Sequence, residues 1–153
     1  MLIQNLHRFI LSLLFLLFSG LVYGQQFAYK KYAVEHGLPS SEVYKVIQDS
    51  KGYIWFATDG GVSRFDGTRF KTYTTKEGLC DNTILNLYED HKGRIWCHSF
   101  SGKFSYFLND SIYNLPCNDK LSKSITYYHF SSMYIDTHDT IWIGAVSQPY
   151  LYK

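Results

Sequence analysis

The chain has 153 residues, with 15 lysines and arginines against 13 acidic residues, so its net charge is only +2. That balance gives no basis for attraction to nucleic acid or to an anionic membrane surface. Aromatic residues make up 18% of the chain, led by 14 tyrosines, which favours strands. The cysteines are three in number and show no paired metal-ligand spacing.

Residues 1–24 carry Arg8, an uncharged apolar run over residues 9–22 and a small Gly24 before polar Gln25. This is the layout of a secretory signal peptide with cleavage after Gly24. The run is shorter than the ~18–20 apolar residues of a spanning helix, and no cysteine follows it to take a lipid. Without Arg8 the remainder holds 14 basic against 13 acidic residues. The next segment, "FAYKKYAV", aligns with "TRFKTYTT" further on, so residues 25–34 are expected to form an outer strand that closes the last blade of a larger ring. Residues 35–75 contain four strand-like pieces, "EVYKVIQ", "YIWFAT", "VSRF" and "RFKTY". They are separated by the turn sequences "DSKG", "DGG" and "DGT". Links this short join antiparallel neighbours.

The same text then recurs. Asp49, Gly52, Ile54 and Trp55 reappear as Asp90, Gly93, Ile95 and Trp96, a shift of 41 that also relates Gly61 to Gly102 and Phe65 to Tyr106. A further shift of 46 carries Asp90, Trp96 and Tyr106 to Asp136, Trp142 and Tyr152, the extra length falling in the polar stretch "NLPCNDKLSKS", expected to be a loop. A repeated four-stranded unit of ~40–50 residues is the sequence signature of a β-propeller blade. The expected fold is all-β. Blade 1 covers residues 35–75, blade 2 residues 76–116 and a partial blade 3 residues 117–153, whose third strand is "YLYK". About two and three-quarter blades are fewer than the ~4–8 of a closed ring, so exposed faces and edges should make the chain associate. Within each blade Asp49, Asp90 and Asp136 are read as acceptors for their own turns. Gly52 and Gly93 supply a turn conformation that side chains resist. Trp55, Trp96 and Trp142 are expected at equivalent, mostly buried positions of the second strand.

The stretch "GLPSSEVYKVIQDSKGYIWFATDGGVSRFDGTRFKTYT" resembles the two-component regulator propeller repeat, through Gly37-Leu38, Val43, Asp49, Gly52, Ile54-Trp55, Thr58, Gly60-Gly61, Phe65 and Asp66-Gly67. The second copy has Ser99 in place of Thr58 and lacks the Asp-Gly pair. The third has Asp139-Thr140 where the turn glycine belongs. The resemblance covers about residues 27–153. It implies an exported, periplasmic sensor region of a hybrid histidine kinase or related transmembrane regulator, with the membrane reached only through sequence beyond Lys153. It also implies a small-molecule or oligosaccharide ligand, carbohydrate in several members. A homodimer of the full-length receptor is expected with it.

For chemistry, the acids that recur once per blade suit turn capping better than the facing carboxylate pair of a glycosidase. "DSKGY" lacks the alternating oxygen ligands of a calcium loop, and the "DxxG…W" turn resembles the aspartate box of sialidase propellers with one residue more between Asp and Gly. No catalytic, cofactor or metal residue is assigned. A ligand would meet the loops "GLPSS" and "GLCDN", flanked by "TDGG" and "SFSG", where Asp59, Asp81 and Asn82 offer hydrogen bonds to sugar hydroxyls. Blade-specific His98 reads as a tolerated strand histidine, Cys97 as a small buried hydrophobe, and Cys80 with Cys117 as the pair open to a disulfide. The leading expectation is a non-enzymatic ligand-sensing segment. The alternatives are a secreted propeller enzyme acting on polysaccharide and an extracellular scaffold.

Overall fold

The computed structural model describes residues 4–5, 8–13, 29–124 and 130–145. The chain divides into two compact units, residues 1–31 and 32–153. In the first, residues 4–5 and 8–13 are helical, and the cleavage point at Gly24 lies outside the described residues. Among those residues no helix is long and apolar enough to cross a membrane.

The second unit is built from antiparallel strands. β1 (Val43–Gln48), β2 (Ile54–Thr58), β3 (Gly61–Phe65) and β4 (Phe70–Tyr73) form one sheet in chain order. β5 (Ile84–Glu89), β6 (Ile95–Ser99), β7 (Phe104–Leu108) and β8 (Ser111–Asn114) repeat it, and β9 (Phe130–Ile135) with β10 (Ile141–Ala145) begins a third. Even the irregularities recur: the β1–β2 ladder slips between Val43 and Lys45, and the β5–β6 ladder between Ile84 and Asn86.

The sheets stack face to face because alternate residues of β2 and β6 are apolar on both sides. Trp55, Ala57, Val62 and Tyr73 of the first sheet meet Ile84, Leu87, Ile95, Cys97 and Phe107 of the second, joined by Leu79 of the connection. On the far side of the second sheet, Phe104 packs with Ile143, Met133, Leu115 and Leu121. Every residue of β6 is therefore buried. β1, by contrast, leaves Val43, Tyr44 and Val46 39–49% exposed.

Two expectations from the sequence need correction, and a third, the outer strand over 25–34, meets no last blade among the described residues. Residues 29–33, the described part of the expected outer strand over 25–34, form no strand, and Val34–His36 form a 3-10 turn. None of the described strands pairs with this segment; Tyr32 instead lays its ring against Phe65 of β3 and Phe70 of β4. Of the two corrections, the first is that the polar stretch after Asn114 contains a helix, α1 (Asn118–Ser124). Asn118 fixes it: its side chain accepts from the Phe104 N–H at 2.8 Å and donates to the Phe104 carbonyl at 2.9 Å. Second, the offset of 41 does not survive past β6. Phe65 pairs with Ile54, whereas Ile95 pairs with Phe107, so Phe107 and not Tyr106 is the counterpart of Phe65. The turn after Ser99 holds one residue more than the turn after Thr58. Tyr152 and "YLYK" lie outside the described residues.

Candidate functional site: the loop ends and turn ends of the blades

One end of each sheet carries the turn that opens β2, β6 or β10, and its geometry repeats three times. Asp49 Oδ1 accepts the N–H groups of Lys51 (3.0 Å) and Tyr53 (2.8 Å), while Oδ2 accepts the Trp55 indole N–H at 2.7 Å. Asp90 does the same with Lys92, Arg94 and the Trp96 indole. Asp136 does so with His138, Thr140 and the Trp142 indole. One carboxylate thus closes the turn and satisfies a tryptophan donor. Hydrogen bonds from the Trp142 indole and from the Thr140 and His138 amides hold the Asp136 carboxyl down at about 2. The turn residue three positions after each Asp has positive φ: Gly52 (89°), Gly93 (71°) and Asp139 (63°). Trp55 and Trp96 are buried at 3% exposure, and Trp142 is half-buried.

Bridges between successive sheets gather at this same end. Glu89 accepts from the Ser50 N–H (2.8 Å) and hydroxyl (2.6 Å), and Arg64 of β3 pairs with Asp110 in the β7–β8 turn. Asp139 accepts from Lys92 and Arg94, each at 2.5 Å, and Arg94 also donates to Asp90. The departure of the third copy from the turn glycine is explained here. Asp tolerates the left-handed region better than most side chains, and its carboxylate ties blade 3 to blade 2. A cleft of about 130 Å³ lies between the first two sheets, lined by Tyr53, Arg64, Glu89, Phe107 and Asp110 among others. Of the charged groups that line it, Arg64 pairs with Asp110, Glu89 accepts from Ser50, and Asp49 is bonded to its own turn and to Trp55.

The opposite end holds the residues singled out for ligand contact. Asp59 is exposed in the β2–β3 turn. Asp81 is half-buried and accepts the Thr83 N–H at 3.3 Å, and exposed Asn82 accepts the Thr75 N–H at 2.8 Å. Asp81 and Asn82 therefore stand side by side in the blade 1–blade 2 connection, each tied to its own loop. Asp59 belongs to the neighbouring turn. The connection itself is pinned to blade 2, since the Cys80 N–H donates to Ser105 Oγ, Ser105 donates to Asn114, and the Asn114 amide donates to the Gly78 carbonyl.

His98 is fully buried with its ring 4.8 Å from Phe104, and burial pushes its pKa down to about 4. It is a neutral core residue at ordinary pH. Cys80, Cys97 and Cys117 carry free thiols in this structure, Cys97 buried as expected, Cys80 half-buried and Cys117 exposed. Among the described residues no group of three or more His, Cys, Asp or Glu is placed to hold a metal ion.

Residues 37–60 and 78–101 match the family model described as the two component regulator propeller. The chain carries two-component regulator propeller repeats. Each matched stretch runs from the Gly-Leu pair through the Asp–Trp turn, the part of the blade in which the repeated hydrogen bonds lie. Of solved structures, the repeats are similar to the extracellular domain of the hybrid two component system BT3049 from B. thetaiotaomicron. The TM-score is 0.59 at 22% identity over 78% of this chain and 17% of that one. They are also similar to the extracellular domain of the one component system BT4673 from the same organism, with a TM-score of 0.55 at 18% identity over 76% of this chain and 18% of that one. These likenesses establish a shared propeller fold. The chain spans less than a fifth of either domain's length. No curated protein matches it significantly.

Proposed function

We propose that the chain is a segment of the ligand-sensing propeller of an exported two-component receptor, without catalytic activity of its own. In this reading it lies in the periplasm and the ligand is a carbohydrate fragment. The observation that carries the proposal is the use made of the repeated acids. Both oxygens of Asp49, Asp90 and Asp136 are committed to turn amides and to an indole. They act as fold elements rather than as an acid–base pair. The blade-specific polar groups, Asp59, Asp81 and Asn82, lie instead on loops at the other end, the usual position for recognition groups on a rigid scaffold. The kinship with extracellular domains of signalling systems supports the receptor context.

The reading is tested by isothermal titration of the chain with a panel of plant and host oligosaccharides, alongside reducing-end assays on the same panel. Saturable binding that weakens tenfold or more in Asp81→Ala and Asn82→Ala, with no new reducing ends, is the expected result. New reducing ends would make the protein a polysaccharide-cleaving enzyme. Absence of binding across the panel would leave the scaffold reading and overturn carbohydrate sensing.

A further inference from the structure

The face of β6 that meets blade 1 carries Ile95, Cys97 and Ser99, alternate residues of one strand. Ser105 is the cross-strand partner of Cys97 on β7, so its side chain rises from the same face, within about 5 Å between Cβ atoms. Onto this face folds the blade 1–blade 2 connection. The Cys80 N–H donates to Ser105 Oγ at 2.9 Å, which holds residue 80 against this face. Cys97 lies two residues before Ser99 on its strand and opposite Ser105 across the ladder. The residue whose N–H is bonded to Ser105 is therefore a near neighbour of Cys97, the cross-strand partner of that serine. Cys80 is half-buried and Cys97 fully buried.

We propose that Cys80 and Cys97 form an intrachain disulfide that staples the blade 1–blade 2 connection to the second strand of blade 2. The bond arises by exchange with an external disulfide. The Cys80 thiolate, the more accessible of the two, attacks one sulfur of that disulfide, giving a mixed disulfide and releasing one thiol. Cys97 then gives up its proton and attacks the Cys80 sulfur, releasing the second thiol. Two electrons and two protons pass to the external disulfide, which leaves as two thiols. Cys80 is the first to react because it is half-buried whereas Cys97 is fully buried, and burial also pushes the Cys97 thiol well above its ordinary value. The bond does not depend on the ligand-sensing reading. It needs only an oxidant of disulfide class, such as exported proteins meet.

The test treats equal amounts of unlabelled and nitrogen-15-labelled full chain, mixed, with oxidised glutathione under native conditions. Free thiols are then blocked, and trypsin digestion and mass spectrometry follow without reductant. Cys80, Cys97 and Cys117 fall in separate peptides, residues 77–92, 95–103 and 104–120. The expected product is 77–92 joined to 95–103, two hydrogens lighter than their sum, in like-isotope pairs only. It should persist in Cys117→Ser, be absent from Cys97→Ser, and lose its preference over other pairings when oxidation is carried out in guanidinium. Joining of 77–92 to 104–120, mixed-isotope pairs, or a glutathione adduct on Cys80 that never resolves would each overturn the proposal.

Discussion

At the scale of single residues, the same aspartate does different work according to its surroundings. Asp49 and Asp66 both cap their turns, but only Asp49 also accepts a buried indole, whereas the donors around Asp66 are exposed. Asp49→Ala strands the Trp55 N–H in the core, at a cost of about 1–3 kcal/mol for an unsatisfied buried donor. Asp66→Ala leaves amides that water can satisfy. Urea unfolding should show the first substitution losing at least about 1 kcal/mol more than the second; equal losses would deny the Asp–Trp bond its role. Acid provides a second probe. The Asp136 carboxyl, at about 2 in the fold against its ordinary 3.8, is depressed by folding, so its contribution is fully present above pH 4 and is lost as pH falls toward 2. Asp90, Asp110 and Asp139 are depressed in the same direction, Asp90 despite burial and the other two chiefly through their hydrogen bonds to basic side chains. Stability read from tryptophan emission should therefore fall between pH 4 and pH 2. A flat or rising profile there would contradict the assignment.

At the scale of elements, the turns separate backbone constraint from contact. Gly61 has φ 124°, and a Cβ there would lie 2.3 Å from the Tyr73 carbonyl oxygen, while one at Gly52 (φ 89°) would meet nothing within 4 Å. Gly52→Ala should cost about 1–2 kcal/mol, the left-handed backbone alone. Gly61→Ala should cost more, because β4 must also move, and the ordering of melting temperatures checks this. Asp139→Gly keeps the turn and loses the ion pairs to Lys92 and Arg94, a small loss for exposed charges that shrinks at high salt. The strands of blades 1 and 2 were legible in the sequence because Val, Ile and aromatic runs are cut by Gly and Asp at regular distances. Less was legible where chemistry is shared out between copies. Nothing in "FSGK" marks the extra turn residue that moves Phe107 into register, and α1 is short, polar and without an apolar period. Of the candidate site, the turn-capping acids were readable, but the indole bond was not drawn, although the constant spacing of six residues in Asp49–Trp55, Asp90–Trp96 and Asp136–Trp142 carried the signal. The inter-blade partners Glu89, Asp110 and Asp139 belong to single copies and leave no repeat to find.

At the scale of the molecule, each blade is finished by its neighbours. The second sheet has one on either side and buries all of β6, while the first leaves Val43, Tyr44 and Val46 on an open strand and Tyr134 of β9 is 57% exposed. Faces of this kind drive association when no further blade covers them. The central claim is that these sheets are propeller blades rather than a self-contained small domain. Sedimentation velocity of the 153-residue chain across a concentration series, with calorimetry on the same samples, tests it most directly. The account predicts association that grows with concentration and a broad, concentration-dependent melt; a monodisperse monomer that melts in one cooperative transition would contradict it.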